Sequence, residues 1–145
     1  MTAKKSVHAS AVRVGDRGVL IRGASGAGKS ALVLALLFGA DDAVLVADDR
    51  VALSSADGRL MAAVPAPLAG LLEVRSVGIV RRPYVSPAAI DLIVDLLPLA
   101  DCPRLPDEAD LRAIVAGVTV RRIFVAANAA DGAFRVRAAL ADHAG

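Results

Sequence analysis

Eight consecutive residues, Gly23-Ala24-Ser25-Gly26-Ala27-Gly28-Lys29-Ser30, constrain this chain more than any other part of it. They fill every fixed position of the pattern G-x-x-x-x-G-K-[ST], a phosphate-binding loop that joins a strand to a helix. Each residue type answers a separate need of a triphosphate. The glycines let backbone N–H groups approach phosphate oxygens that a Cβ would hold off. Lys29 offers a mobile point charge to the β- and γ-phosphates, and the Ser30 hydroxyl is suited to ligate Mg²⁺. Upstream, Arg17-Gly18-Val19-Leu20-Ile21-Arg22 is a short apolar run of strand character; downstream, residues 31–37 read as a buried helix whose N-terminus favours the same anion. A Gly/Ala/Ser-rich turn containing Gly-Lys-Ser by chance would account for the eight residues, but not for the strand and helix that flank them. The chain is expected to bind a nucleoside triphosphate with Mg²⁺.

A length of 145 residues fits a single domain, 1–145, whose core buries roughly two-thirds of the unfolded surface. The sequence is 56% hydrophobic but only 3% aromatic, so that core must be built from Val, Leu, Ile and Ala. Few aromatics also argue against a base-stacking nucleic-acid platform. A net charge of +2 is too small to imply a polyanionic partner. Cys102 is the single cysteine, which excludes an internal disulfide and fits a reducing cytoplasm. The longest apolar run, residues 31–40, is too short to span a bilayer, and no apolar segment of signal-peptide type follows Lys4 and Lys5. A cytoplasmic protein without membrane or nucleic-acid partner is expected.

Periodicity and turn residues predict the elements. Ser6–Val14 reads as one strand pairing with Gly18–Ile21 across a Gly15-Asp16 turn, and helix one runs from Lys29 to Phe38. Ala43–Ala47 reads as a buried strand ending in Asp48-Asp49. Arg50–Ser54 and Arg59–Val64 flank a hairpin turn at Ser55-Ala56-Asp57-Gly58. Pro65–Leu72 predicts a turn and short helix leading into residues 73–79, and 81–87 an exposed loop. Ile90–Leu97 is a further strand, 101–110 is irregular, Val115–Ala126 holds at least one strand, and Ala129–His143 is a C-terminal helix. Strands outnumber helices, so the expected fold is α/β with a mixed β-sheet carrying the phosphate loop.

Asp48 and Asp49 end an apolar strand, where an acidic side chain faces the metal and γ-phosphate of such a loop. Adjacent strand residues point to opposite sides, which leaves the second aspartate to accept a proton from an attacking hydroxyl. His8, on a strand beside the loop's own strand, is a candidate neighbour. Glu73 and Arg75, two apart on an extended segment, share a face and present carboxylate and guanidinium together. Arg104, between Pro103 and Leu105, taken alone reads as a solvated loop residue.

Taken together, Val7-His8-Ala9, the phosphate loop, residues 45–51 (LVADDRV) and residues 71–79 (LLEVRSVGI) resemble the catalytic domain of HPr kinase/phosphorylase, in a short form without the family's N-terminal domain. The resemblance covers roughly residues 6–105. It implies a nucleotide site of the PEP carboxykinase type and transfer of the ATP γ-phosphate to a seryl hydroxyl of HPr, the phosphocarrier of the sugar phosphotransferase system. By the same resemblance, Gly23–Ser30 hold the phosphates of ATP, Ser30 and Glu73 stand on the Mg²⁺ side, and one of Asp48 and Asp49 is the general base with His8 close to it. Arg75 belongs to the family's signature segment, Arg104 resembles its catalytic loop arginine, and a hexamer is implied. Three positions depart from the pattern: Ala31 replaces an acidic residue after Gly-Lys-Ser, Ser76 replaces a glycine, and Val118–Arg122 does not reproduce the arginine motif that serves the phosphorylase direction. Kinase activity is accordingly favoured over phosphorylase activity. A nucleotide-binding regulator with weak catalysis and a small-molecule kinase are the alternatives, the latter disfavoured because no lid or acceptor-binding insertion is visible.

Overall fold

The structure, a computed structural model, describes residues 5–142. Strands β1 (Lys5–His8), β2 (Ser10–Val14) and β3 (Arg17–Gly23) precede helix α1 (Lys29–Phe38). Strands β4 (Ala43–Ala47), β5 (Arg50–Ala56), β6 (Arg59–Ala63), β7 (Leu71–Val74), β8 (Gly78–Arg81), β9 (Ala88–Ala89) and β10 (Leu92–Leu97) follow. Strands β11 (Arg112–Val115) and β12 (Val118–Ala126) and helix α2 (Gly132–Ala141) complete the order.

Six strands form the central sheet in the order β11-β12-β10-β3-β2-β4. β3, β10 and β12 are parallel neighbours, while β2 is antiparallel to both β3 and β4. It follows that β3, β4, β10 and β12 all run the same way and deliver their C-terminal ends to one edge. The phosphate loop leaves that edge after Gly23, and Asp48-Asp49 leave it after Ala47.

Alternation on these strands sends apolar side chains to both faces. On one face Val12, Val19, Ile21 and Val94 pack against Leu32, Val33, Leu36 and Leu37 of α1 and Val136 of α2. On the other, Ala11, Leu20, Ile93 and Val120 pack against Val51, Leu53, Leu60 and Ala62 from a second sheet of order β1-β5-β6-β9. Each such Leu or Val contributes about 1.5–3 kcal/mol on full burial, which aliphatic side chains supply here without aromatic ones. The result is three layers: helices, central sheet, second sheet.

Most predicted elements appear at their expected places, including α1, β4 and the β5–β6 hairpin turning at Asp57-Gly58. Three differ. The stretch read as one strand over Ser6–Val14 divides at Ala9: Ser10–Val14 pairs with β3, but Ser6–His8 crosses to the second sheet and pairs with β5. Residues 71–81 form a separate two-stranded hairpin, β7–β8, rather than one extended segment. Arg112–Val115 adds a strand antiparallel to β12. The loop at 82–87 is tied at its centre, since Tyr84 bridges Leu45 and the Val85 N–H donates to the Leu45 carbonyl at 2.9 Å. The base of the β7–β8 hairpin is closed by the Arg82 N–H on the Gly70 carbonyl (2.8 Å), with the Tyr84 ring lying against Gly70. Helix α2 is shorter at its start than the expected span, and His143 lies outside the described residues.

Candidate functional site

β3 ends where the chain must turn without side-chain bulk, and the loop after it takes the left-handed backbone twice, at Gly26 (φ +82°) and Gly28 (φ +98°). Glycine meets that demand without a Cβ penalty. One bond inside the loop, from the Ala27 N–H to the Ala24 carbonyl (3.0 Å), tightens it. Lys29 is buried at the first turn of α1, and its Nζ donates to the carbonyls of Gly23 (2.7 Å) and Ala24 (3.1 Å). The ammonium is therefore folded into the loop, and the loop is built of small residues that leave its interior clear. This cradle fits a polyphosphate, and Lys29 fits its charge.

Ser30 stands beside it, exposed, and donates from its hydroxyl to Asp48 Oδ1 at 3.3 Å. Asp48 is carried inward by the buried β4 and is itself 7% exposed. Burial raises its carboxyl above the ordinary range; hydroxyls of Ser10 and Ser30 oppose that shift, and the charge of Asp49 adds to it. The Ser10 hydroxyl, fully buried, donates to the same Oδ1 at 2.9 Å and accepts from the Asp49 N–H at 3.2 Å. That clamp turns the chain sharply, and Asp49 takes φ +71°. Its side chain swings outward to the exposed His8, with Nε2 to Oδ1 at 3.4 Å. The two aspartates thus separate into a buried one against Ser30 and an exposed one against His8.

A cleft of about 890 Å³ opens beside the loop. Gly26, Gly28, Ser30 and Ala31 form one wall, and Glu73, Arg75 and Ser76 of the β7–β8 hairpin form the other. Glu73, on β7, and Arg75, in the turn after it, are both exposed and line this cleft, brought there by the hairpin rather than by the shared face of one extended segment. Ala31 lies on the opposite wall and supplies no carboxylate. Ser76 adopts φ +67°, the conformation for which a glycine would be better suited. Arg104 is exposed on the loop that leaves β10 at the same sheet edge, and it is not among the residues lining the cleft. Among the described residues no group of three or more His, Cys, Asp or Glu could hold a metal ion by itself. A hard cation at Ser30 would accordingly take most of its oxygens from phosphate and water, as Mg²⁺ commonly does.

Two residues beyond the sequence-based set belong to this geometry. Ser10 clamps both aspartates. Asn128, two residues past β12, donates from Nδ2 to the Gly26 carbonyl at 3.0 Å and from its N–H to the Ala27 carbonyl at 2.9 Å. A serine inside a strand carries no signal, and Asn128 lies 102 positions from its side-chain partner. The only available hint was its position at the end of a strand.

Comparisons with known proteins bear on the family and the fold. A family model described as the HPr Serine kinase C-terminal domain matches residues 1–130. The HPr kinase/phosphorylase of Limosilactobacillus reuteri is 36% identical over 136 residues, covering 86% of this chain and 42% of that protein. That of Levilactobacillus brevis is 41% identical over 104 residues, covering 66% and 33%. The chain thus spans less than half the length of these relatives. A solved structure, of the Hpr(Ser) kinase/phosphatase from Coxiella burnetii, superposes with a TM-score of 0.81 over 97% of this chain and 96% of that one, at 24% identity, a likeness in fold. With the phosphate loop, the paired aspartates and the 71–79 hairpin in one place, and with the family model matching most of its length, this chain belongs to the HPr serine kinase C-terminal domain family.

Proposed function

We propose that this chain is a Mg·ATP-dependent protein-serine kinase acting on HPr or an HPr-like phosphocarrier. The observation that carries the reading is the division of the aspartates: Asp48 against Ser30 in the phosphate cradle, Asp49 against His8 at its open side. Phosphoryl transfer asks a protein chiefly for positioning and charge neutralisation, and both halves of that task lie at one sheet edge.

Loop residues 23–30 receive the triphosphate, with Lys29 leaving its carbonyl contacts to meet phosphate oxygens. Ser30 holds the Mg²⁺, backed by Asp48, and Glu73 and Arg75 face it across the cleft. Mg²⁺, when bound, neutralises charge that develops on the transferred group and the leaving oxygen. Asp49 accepts the proton of the incoming seryl hydroxyl, and His8 orients its carboxylate. Buried Asp48, with Ser10 and Ser30 donating to its Oδ1, is the less accessible of the two to an incoming hydroxyl, whereas Asp49 is exposed. Arg121 and Arg122 are engaged within the fold, on the Ala139 carbonyl and on Asp95, which supports the kinase direction over the phosphorylase one.

Incubation with Mg·ATP and HPr is expected to yield phosphoserine on HPr by mass spectrometry, and Lys29→Ala to abolish it. Asp49→Asn is expected to lower turnover by about two to four orders of magnitude while nucleotide still binds. A second reading, a nucleotide-binding regulator, is favoured by Ala31 alone; ATP binding with no transfer by the wild type would establish it instead.

A further inference from the structure

The phosphate loop has few means of holding its own shape. Residues 24–28 carry nothing larger than a serine side chain, and two of them are glycines with left-handed backbone. Such a segment has much conformational freedom to lose on ordering. Its internal bonds are the Ala27 N–H on the Ala24 carbonyl and the two contacts of Lys29 Nζ. The Lys29 contacts are those that a phosphate would replace. One internal bond is then left for five residues.

Asn128 supplies the rest from outside. It takes two consecutive loop carbonyls, Gly26 through Nδ2 and Ala27 through its backbone N–H. In a trans peptide the C=O and N–H point opposite ways, so each carbonyl held outward fixes the direction of the next amide. Turning the Gly26 carbonyl to Asn128 sends the Ala27 N–H inward, where it meets the Ala24 carbonyl. Turning the Ala27 carbonyl likewise aims the Gly28 N–H away from Asn128; that amide, at the head of α1, is of the kind that anions bind. The fit is close: a Cβ on Gly28 would stand 2.7 Å from Asn128 Oδ1 and 3.3 Å from its backbone nitrogen. Asn128 itself has φ +58°, a conformation asparagine accepts more readily than most residues. No other side chain joins a short amide donor to that tolerance.

We propose that Asn128 is a positioning residue of the phosphate loop, locking residues 26–28 into their phosphate-receiving form from the end of the neighbouring strand β12. The inference rests on the reading of this loop as a nucleotide site.

Two variants isolate the lock. Asn128→Asp keeps the shape but replaces the donor with an acceptor facing a carbonyl. Asn128→Gly removes the side chain while accepting the left-handed backbone without strain. Titration calorimetry with a non-hydrolysable Mg·ATP analogue is expected to show binding weakened at least about tenfold in both, since a lost hydrogen bond and a loosened loop together amount to that much. Hydrogen exchange in the ligand-free protein is expected to accelerate at the Ala27 amide, with the thermal midpoint little changed. Wild-type affinity together with unchanged Ala27 exchange in Asn128→Gly would overturn the lock. If the wild type binds no nucleotide, the functional reading fails separately, and the exchange at Ala27 alone then supports or overturns the lock.

Discussion

Asp48 concentrates the tension between folding and chemistry in this protein. Its carboxyl is held above the ordinary range chiefly by burial, so the folded chain keeps that proton to a higher pH than the unfolded chain does. Wherever the folded state binds more protons, stability falls as pH rises. The contribution of Asp48 is therefore fully present below the ordinary carboxylate value and is lost as pH climbs through the raised one. Asp48→Asn cannot ionise and keeps an oxygen to accept from Ser10. Thermal melts in chelator-containing buffer should show the variant's midpoint gaining on the wild type as pH rises above about 4, where a free aspartate ionises. A difference independent of pH would remove the burial argument. Ser10 escaped sequence reading because a strand serine looks neutral until its partner, 38 residues on, is brought beside it.

The β7–β8 hairpin shows how far local pattern reaches. The β5–β6 hairpin announced itself through Asp57-Gly58, residues that take positive φ, at +53° and +76°. Arg75-Ser76-Val77 carries no such signature, yet Ser76 takes φ +67° and the Val77 N–H closes the turn on the Val74 carbonyl at 2.9 Å. An L-residue there costs about 1–2 kcal/mol, less the entropy that glycine would lose on folding. Ser76→Gly is expected to stabilise the chain by about 0.5–1 kcal/mol in urea unfolding. A loss of stability would mean that the Ser76 hydroxyl holds the hairpin by a bond of its own. The phosphate loop, α1 and β4 were legible because each rests on neighbours in sequence. The division at Ala9 was not, since alternation continues through it and only the competing claims of two sheets decide where the strand changes partner.

Six strands shared between two apolar layers leave several large side chains uncovered: Ile79, Leu99, Leu105, Ile114 and Phe134 are all more than half exposed. We propose that some of these side chains are covered in the hexamer which resemblance to HPr kinase/phosphorylase implies. Sedimentation is expected at the mass of six copies, and a single monomeric boundary at working concentration would contradict it. Among the described residues no helix is long and apolar enough to cross a membrane. Tyr84 adds an experimental opening. The sequence has one tyrosine and no tryptophan, and that tyrosine rests on Gly70 at the base of the hairpin that forms one wall of the cleft. Excited beyond the absorption band of the three phenylalanines, intrinsic ultraviolet emission from a single copy thus comes from one ring at the base of that hairpin. The protein carries its own optical gauge of whether that wall moves when the cleft fills, with no label required.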